Sequence, residues 1–350
     1  MVCMIVDDWI ANKIWPDRGK ALTREALEAW QLCKLLETMK HVLGNSSFYR
    51  EKYGVRDRSD AAVLSINSLN DISKLPFSTP DELAALGPRM VCVPASAVSR
   101  IVTLQATSGT TGAPKRVWFT EEDQELMTDY IHHGLPVMTG PGDVFLVLMP
   151  CERPGSVGDL VAEGVERIGS RAVRFGPVPK DGSRDEEVFR VMREEGVTTG
   201  LATAPTAARL AAKSASEDKI RNNMKTILLS AQYVSDNDKR IIEDSWNCKV
   251  YEHYGMTEMG LGGAMACEAR EGYHPREADI LFEIIDPDTG TVLPEGEYGE
   301  IVFTTLTRKA MPLIRYRTGD FSRWMTGECS CGSVLKRLGK VSDRNERKMY

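Results

Sequence analysis

The sequence lacks several features that would assign it to a membrane, secretory or nucleic-acid-binding class. It has no apolar run of about 18 residues, so no transmembrane helix is expected. Its start, MVCMIVDDWI, has no basic segment, and its apolar run stops at Asp7 and Asp8, unlike a secretory signal. The net charge of −6 argues against nucleic acid or an anionic membrane as the main partner. Internal repeats and low-complexity segments are also absent.

The composition is that of an ordinary soluble protein. The 350 residues are 42% hydrophobic and 27% charged, enough to bury one large core or a few smaller ones. Eight cysteines without a secretory leader favour a reducing compartment, where thiols pack or bind metal rather than form disulfides. We therefore expect a cytoplasmic protein.

Hydrophobic periodicity predicts a helical start, an α/β centre and a β-rich end. Residues 24–43 have apolar side chains at near-helical spacing, with Thr23 as N-cap and Gly44 as the stop. From about residue 100, β-branched runs (SRIVTLQA, DVFLVLMP, KTILLSAQ, CKVYEHYG) alternate with helical stretches such as 121–132 and 185–195, which indicates mostly parallel central strands. Then ILFEIIDP and EIVFTTLT, with Gly and Pro turns, predict a small β-barrel or β-sheet.

Residues 106–115, ATSGTTGAPK, have a composition suited to holding phosphate. A Walker A loop needs GxxxxGK[ST] before a helix, but Pro114 precedes Lys115, Arg116 follows it, and RVWFT is strand-like. A dinucleotide GxGxxG is also absent. Two interpretations remain. The segment is an exposed polar hairpin turn, or a loop whose N–H groups and hydroxyls wrap a triphosphate while Lys115 adds charge.

The run SGTTGAPK resembles the signature of the adenylate-forming superfamily, which includes acyl-CoA synthetases, luciferases and peptide-synthetase adenylation domains. The resemblance implies that ATP or AMP contacts the loop. The loop residues concerned are Ser108, Gly109, Thr110, Thr111, Gly112 and Lys115.

YEHYGMTE at 251–258 is similar to the YGxTE element of that superfamily. The resemblance places Tyr254 and Gly255 at the nucleotide, with Tyr254 against adenine. It places Thr257 at the α-phosphate and gives Glu258 the role of Mg²⁺ ligand, which suits an ion that prefers oxygen. Lys115, Thr257 and Glu258 are the expected catalytic residues. Taken alone, the segment would be a strand that ends in a plain turn. His253, on the expected acyl side, is a candidate for binding or orienting a carboxylate.

Two further elements resemble the superfamily. LLSAQYVS at 228–235 resembles the adenine-contacting element, so Ser230, Ala231 and Gln232 are expected at the base, with a neutral amide where relatives carry an acid. MPLIRYRTGD resembles the YRTGD element, in which Asp320 would accept hydrogen bonds from both ribose hydroxyls. Taken alone, RYRTGD would be a charged strand end.

Residues 25–343 look like the phenylacetate-CoA ligase branch, which also includes coenzyme F390 synthetase-like proteins. The resemblance rests on FTTLTRKAMPLIRYRTGD, KLPFSTPDEL and SSFYREKYG. It implies an acyl-CoA synthetase-like large domain of layered α/β subdomains with a small C-terminal β-barrel or β-sheet subdomain. The expected divisions are a helical lead-in and the start of the first α/β subdomain (1–100), an α/β nucleotide-binding core (101–276) and a β-rich subdomain (277–350).

Cys267 and His274 in CEAREGYH, with Cys329 and Cys331 in CSCG, make a Cys₃His set. Two local pairs brought together by folding are a common way to build a tetrahedral structural zinc site. Phenylacetate-CoA ligase-like proteins carry a similar set, so the resemblance implies structural Zn²⁺. The alternative is four unrelated residues, buried thiols and a surface histidine.

Three other features have less definite assignments. PCERPGSVGDL at 150–160 is expected to line the acid pocket, with an ordinary strand–helix turn as the alternative. His132 and His133 are expected to be solvated. His41 lies near a helix C-terminus, where a cation is favoured.

The resemblance breaks near the end of the sequence. Superfamily members continue from a GRxDD hinge into a lid that supplies a catalytic lysine. Residues 339–343 read GKVSD, with Lys340 and Ser342 in place of the ribose-contacting arginine and the hinge aspartate. We therefore expect that the lid is absent and that transfer to CoA is doubtful.

The predicted function is activation of a small carboxylic acid to an acyl-adenylate with ATP and Mg²⁺. One alternative is a nucleotide-binding or regulatory protein without autonomous turnover. The other is AMP transfer to a hydroxyl or phosphate acceptor, as in F390 synthetase-like proteins. A homodimer or an acyl-acceptor protein is left open as a partner.

Overall fold

The computed structural model describes residues 5–16, 19–55, 66–104 and 114–342. Ten α-helices lie in these ranges: α1 (Ile5–Ile14), α2 (Arg24–Asn45), α3 (Ser47–Lys52), α4 (Pro80–Met90), α5 (Glu121–Gly134), α6 (Val157–Ile168), α7 (Asp185–Glu195), α8 (Ala204–Lys213), α9 (Asp218–Asn223) and α10 (Asp236–Trp246). The same ranges contain twelve strands: β1 (Arg100–Leu104), β2 (Lys115–Phe119), β3 (Val144–Val147), β4 (Arg171–Arg174), β5 (Thr199–Ala202), β6 (Thr226–Leu229), β7 (Lys249–Tyr254), β8 (Ala264–Met265), β9 (His274–Pro275), β10 (Ile280–Ile285), β11 (Gly299–Thr305) and β12 (Tyr316–Ser322).

Side-chain caps fix where several helices begin. The hydroxyl of Thr23 accepts a hydrogen bond from the N–H of Ala26 at the start of α2, as the sequence predicts. The helix continues past the predicted stop at Gly44 and ends at Asn45, where Ser46 caps both its C-terminus and the start of α3. The predicted stop was therefore wrong by one residue, because Ser46 supplies the boundary.

The central sheet has the order β4-β3-β5-β6-β7-β8-β9. Its first five strands are parallel, which confirms the mostly parallel centre predicted from the alternating pattern, and β8 and β9 are antiparallel additions. Phe145 and Val147 of β3 pack on one face, against α1, α5 and α6, while Leu146 packs on the other, against α7, α8 and α10. Burial on both faces explains why the strands read as continuous apolar runs.

Two smaller antiparallel sheets complete the fold. Strands β10, β11 and β12 form the small C-terminal sheet that the sequence predicts. Strands β1 and β2 form a separate hairpin with Leu104 opposite Lys115. The alternating pattern had suggested that SRIVTLQA joins the central sheet. It does not, because its strand pairs with the strand after the phosphate loop.

A buried ion pair ties the C-terminal sheet to the segment before α4. Arg315, at φ +47 and 2% exposed in its side chain, donates to both carboxylate oxygens of Glu283 at 2.8 and 3.0 Å. It also donates to the carbonyl oxygens of Ser73 and Leu75 at 2.8 and 2.7 Å. Arg315 therefore acts as a structural cross-link inside the MPLIRYRTGD element. In the described ranges, none of the helices has both the length and the apolar composition needed to cross a bilayer.

Candidate active site

Lys115 and Glu258 form an ion pair at the end of the β1–β2 hairpin. Lys115 begins β2, and Glu258 lies in a short 3-10 turn, Thr257–Met259, that follows β7. The Glu258 side chain is only 2% exposed. Its Oε1 atom accepts from Nζ of Lys115 and also from the Tyr316 hydroxyl at 3.3 Å. The structure thus brings two of the predicted catalytic residues into direct contact.

The turn after β7 depends on Gly255 and on a buried arginine. A Cβ atom at Gly255 would lie 1.9 Å from the Leu261 carbonyl oxygen, so no other residue fits. Arg308 donates from Nη1 to the Glu258 carbonyl oxygen at 2.6 Å. Burial lowers the pKa of Arg308 to about 10, which leaves it charged at neutral pH. Thr257, the third predicted catalytic residue, is half-buried in the same turn.

Tyr254 and Asp320 meet beside this turn. The Tyr254 hydroxyl donates to Oδ2 of Asp320 at 3.0 Å, which joins the end of β7 to β12. Burial, and then the negative charge of Asp320, raise the pKa of Tyr254 well above its usual value. The phenol is therefore a neutral donor over the physiological range, and the residues predicted for adenine and ribose are neighbours.

The predicted adenine element follows β6. Ser230 is half-buried, while Ala231 and Gln232 are exposed and available to a ligand. Ala231 has φ +67, a left-handed conformation that costs a non-glycine residue about 1–2 kcal/mol. Lys340 lies nearby, with its Nζ 2.7 Å from Oδ1 of Asp236 and 4.9 Å from the centre of the Tyr233 ring. The residue predicted at the ribose is thus paired with the start of α10.

Most of the predicted phosphate loop lies outside the described ranges. Its predicted contacts Ser108, Gly109, Thr110, Thr111 and Gly112 lie outside the described residues, as does Asp343 of the predicted hinge. Both flanking strands are described, and the strand predicted after the loop is present as β2. The loop therefore joins two paired strands rather than a strand and a helix.

An apolar cavity of about 30 Å³ lies on the side of β7 opposite Tyr254. Successive strand residues face opposite ways, so the residue before Tyr254 points to this side. His253 faces this cavity. Its Nδ1 hydrogen-bonds the Ser230 hydroxyl at 2.9 Å, while its Nε2 is buried without a partner in the described residues. Burial, and then the positive charge of Arg276, lower the pKa of His253 to about 4. The imidazole is therefore neutral at physiological pH.

The segment PCERPGSVGDL forms part of the cavity wall and a turn at once. Val157 and Leu160 line the cavity. Gly155 at φ +72 and the N-cap Ser156 begin α6 directly before them. The segment therefore lines the cavity and also forms a strand–helix turn, so its two predicted roles are compatible.

Three side chains that shape the site were not predicted from the sequence. Tyr316 lies inside the YRTGD element, and its hydroxyl, which contacts Glu258 of the Lys115–Glu258 pair, could have been identified as a site group from that motif. Arg308 had no sequence signal, since an arginine in a loop is usually solvated. Tyr130 is buried in α5, and its hydroxyl, like Nε2 of His253, has no partner in the described residues. The position of Tyr130 in a predicted helical stretch suggested only a core residue.

The four predicted zinc ligands come together at the edge of the central sheet. Their ligand atoms all lie within 4.8 Å of one another, and three of the four residues are buried. The sulfur atoms of Cys267 and Cys329 are 3.6 Å apart, and Sγ of Cys331 is 3.3 Å from Nε2 of His274. Tetrahedral zinc sets ligand sulfur atoms about 3.8 Å apart, so the donor set fits a closed site.

Neighbouring groups hold these ligands in place. Nδ1 of His274 hydrogen-bonds the Lys336 carbonyl oxygen at 3.1 Å, which orients the ring as outer hydrogen bonds do in metal sites. Asp7 of α1 accepts from the Ser333 hydroxyl at 2.6 Å and the Val334 N–H at 3.0 Å, directly after the CSCG turn. No pattern in the sequence connects Asp7 with that turn.

The expectation that His133 is solvated was wrong. His133 stacks on Trp9 of α1 at a ring distance of 5.3 Å and lies 3.0 Å from Oδ1 of Asp129. His132 is half-buried beside it. His41 lies in the last turns of α2, where its Nε2 hydrogen-bonds the Lys309 carbonyl oxygen at 2.9 Å and its Nδ1 lies 3.2 Å from the side-chain amide of Asn45, the last residue of the helix. These contacts form when α1 and the loop before β12 pack on the helices, which no local pattern encodes.

Comparison with known proteins gives one consistent result. A family profile described as AMP-binding enzyme matches residues 42–307. The chain is 31% identical over 343 residues to phenylacetate-coenzyme A ligase of Pseudomonas putida, covering 96% of this chain and 74% of that protein. It is 30% identical over 336 residues to the same-named protein of Thermus thermophilus, covering 93% and 72%. Among solved structures, 2-hydroxyisobutyryl-CoA ligase in complex with 2-HIB-AMP and CoA matches with a TM-score of 0.80 at 24% identity, covering 92% of this chain and 69% of that one.

Proposed function

Because this chain belongs to the AMP-binding enzyme family, we propose that it activates a carboxylic acid with ATP to form an acyl-adenylate. The observation that carries the proposal is the arrangement around the end of β7. Lys115, Glu258, Tyr254 and Asp320 converge on one side, and an apolar cavity with a single imidazole edge lies on the other. Such an arrangement separates a nucleotide from the body of an acid and leaves their reactive ends to meet between them.

In the proposed reaction the carboxylate oxygen attacks the α-phosphorus of ATP in line. The new bond is a mixed anhydride, and the bond to pyrophosphate breaks. No proton has to move, since the acid enters as its anion. Catalysis is therefore mainly positioning and neutralisation of charge. Lys115 and Thr257 are proposed at the phosphates, and Tyr254 and Asp320 at the adenosine.

Magnesium is proposed to accompany ATP at Glu258. The donor suits the ion, because Mg²⁺ prefers carboxylate oxygens together with substrate phosphates. Glu258 is nearly inaccessible and its Oε1 already accepts from Lys115 and Tyr316. We therefore propose that Lys115 leaves Glu258 for a phosphate oxygen when Mg·ATP binds.

Pyrophosphate–ATP exchange across a panel of carboxylic acids tests this function. Acid-dependent exchange that is lost in Glu258→Gln would support it. Saturable ATP binding without exchange for any acid would contradict it and favour a nucleotide-binding protein without turnover. AMP transferred to a hydroxyl or phosphate acceptor would favour the F390 synthetase-like alternative.

The acceptor of the acyl group is proposed to be a thiol, either of CoA or of a carrier protein. Both relatives named above are coenzyme A ligases. Adding CoA to the exchange assay and measuring the thioester tests this step separately from adenylation. None of the seven cysteines in the described residues forms a disulfide, which supports a reducing compartment such as the cytoplasm as the place of action.

We also propose that Cys267, His274, Cys329 and Cys331 bind one structural zinc ion. The support is the closed Cys₃His donor set, which leaves no ligand position for a substrate. Metal analysis of the purified protein should find about one equivalent. Cys331→Ser should lose most of it and lower the melting temperature, whereas Cys33→Ser, an exposed cysteine, should change neither. Less than half an equivalent in the unmodified protein would contradict the proposal.

A further inference from the structure

The cavity beside His253 has a size that restricts the acid it can take. Its volume is about 30 Å³. An engineered cavity that binds benzene measures about 150 Å³, and a single water needs about 10–15 Å³. The cavity therefore has room for two or three non-hydrogen atoms, not for a phenyl ring. In the cavity wall the Tyr130 ring packs closely against Gly262, where a Cβ atom would lie 2.7 Å from the ring.

The lining also restricts the charge of the acid. No charged side chain lines the cavity in the described part of the chain. Its walls are apolar side chains, such as Met127, Met149 and Leu201, and three polar ones, Tyr130, Ser230 and His253. A second carboxylate or an ammonium group buried here would have no counter-ion, so its binding would be strongly unfavourable. Dicarboxylic acids and amino acids are therefore disfavoured.

Two polar atoms remain unsatisfied at this cavity. Ser230 uses its hydroxyl on Nδ1 of His253, which leaves Nε2 as the free edge of the ring. Tyr130 also lines the cavity; it is buried, and its hydroxyl has no partner in the described residues. A Cβ atom at Gly262 would be 3.4 Å from Nε2, so that atom lies against the cavity wall. Buried polar groups are rarely left unpaired, and each one that is needs an explanation, such as a functional role.

We propose that the cavity takes the body of a short, otherwise uncharged monocarboxylic acid that carries a hydrogen-bonding substituent, such as a hydroxyl, recognised by Nε2 of His253. This inference rests on the proposed function and names its substrate class. It differs from the aryl acid in the names of the curated relatives. His253 is a specificity-determining residue here, and because the ring is neutral it selects for a dipole rather than for a second anion.

The experiment uses non-reacting mimics of the acyl-adenylate, the 5′-O-(N-acylsulfamoyl)adenosines, so that binding is measured without turnover. The acyl groups are 2-hydroxypropanoyl, 2-methylpropanoyl, which replaces the hydroxyl with a methyl of similar size, and phenylacetyl. Dissociation constants are measured by calorimetry. The 2-hydroxypropanoyl compound is expected to bind about tenfold more tightly than its methyl analogue, because one buried hydrogen bond is at stake. The phenylacetyl compound is expected to bind least tightly of the three.

Variants separate recognition from general packing. His253→Leu should remove the preference for the hydroxyl and leave binding of the methyl analogue within about threefold, a change below 1 kcal/mol. His41→Leu, a matched change of a histidine remote from the cavity, should keep the full preference.

Tightest binding by the phenylacetyl compound, or equal binding of the hydroxyl and methyl compounds to the unmodified protein, would overturn the inference while leaving the proposed function intact. Failure of all three compounds to bind would overturn both.

Discussion

The Tyr254 hydroxyl donates a hydrogen bond to Oδ2 of Asp320 over 3.0 Å, and this contact joins the central sheet to the C-terminal sheet. The two residues are 66 positions apart in the sequence, in separate motifs. A nucleotide held by both would therefore connect the two sheets, and its affinity would depend on how they are positioned relative to each other.

The first prediction concerns this contact. Tyr254→Phe keeps the ring against the base but removes the donor, so AMP affinity should fall by about three- to tenfold. Asp320→Ala removes an ionised acceptor and should lower affinity by about ten- to a hundredfold, since hydrogen bonds to charged groups are stronger. Calorimetric titration with AMP measures both. A larger loss for Tyr254→Phe than for Asp320→Ala would contradict the proposed ribose role of Asp320.

The second prediction concerns the Lys115–Glu258 pair. Lys115→Met should reduce the rate of pyrophosphate exchange by about 10²–10³, the usual effect of losing one group aimed at developing charge. Its affinity for AMP, which lacks the outer phosphates, should change little. Lys74→Met is a suitable control, since that lysine is 70% exposed and should have no effect on either quantity. Equal losses of AMP binding and exchange in Lys115→Met would argue that the pair only stabilises the fold.

The third prediction concerns the buried Arg315–Glu283 pair. Glu283→Ala leaves a guanidinium without its counter-ion and should lower the free energy of unfolding by about 3–5 kcal/mol. Glu194→Ala breaks an exposed ion pair with Arg190 and should cost less than about 1 kcal/mol. Urea denaturation of the two variants gives the comparison. Similar costs would mean that hydrogen bonds to the Ser73 and Leu75 carbonyl groups suffice to hold Arg315.

The fourth prediction concerns pH. Burial lowers the pKa of His253 to about 4, below the value of about 6.5 expected in the unfolded chain. As the pH falls, the unfolded state therefore binds the proton before the folded state does. The contribution of the neutral His253 ring to the free energy of unfolding is complete above pH 6.5 and is lost as the pH falls towards 4. Ser230 and Arg276 are the polar and charged groups acting on the ring.

Between pH 7 and 4.5 the unmodified protein should therefore lose about 2 kcal/mol more stability than His253→Leu. Denaturant titrations at several pH values measure the difference, with His41→Leu as the control that should follow the unmodified protein. Parallel pH profiles for the unmodified protein and His253→Leu would show that His253 titrates normally.

Local sequence patterns predicted those parts of the fold that local chemistry determines. The start of α2 follows from the Thr23 cap, and the parallel strands follow from apolar runs that are buried on both sheet faces. SRIVTLQA was grouped with the central strands, although it pairs with β2, because a β-branched run does not say which neighbour it will meet. Strand identity is a short-range property, whereas sheet membership depends on the whole chain.

For the site, the resemblance of the motifs to those of the superfamily implied which residues lie together but not what each one contacts. Lys115 meets Glu258, and Tyr254 meets Asp320, as their motifs suggested. Arg308, Tyr316 and Tyr130 were missed because burial of a polar side chain is set by packing from distant segments. The unpaired Nε2 of His253 could not be foreseen either, since it depends on Ser230 turning its hydroxyl to the other ring nitrogen.

The last two residues of β7 carry a consequence for how the protein could change its substrate during evolution. His253 and Tyr254 are adjacent, opposite Met265 and Ala264 of β8, so one faces the cavity and the other faces Asp320. Inserting or deleting a single residue upstream in this strand would exchange the imidazole and the phenol between the two sides. Length changes here are therefore incompatible with function, and a new acid preference has to arise by replacing side chains such as His253 in an unchanged register.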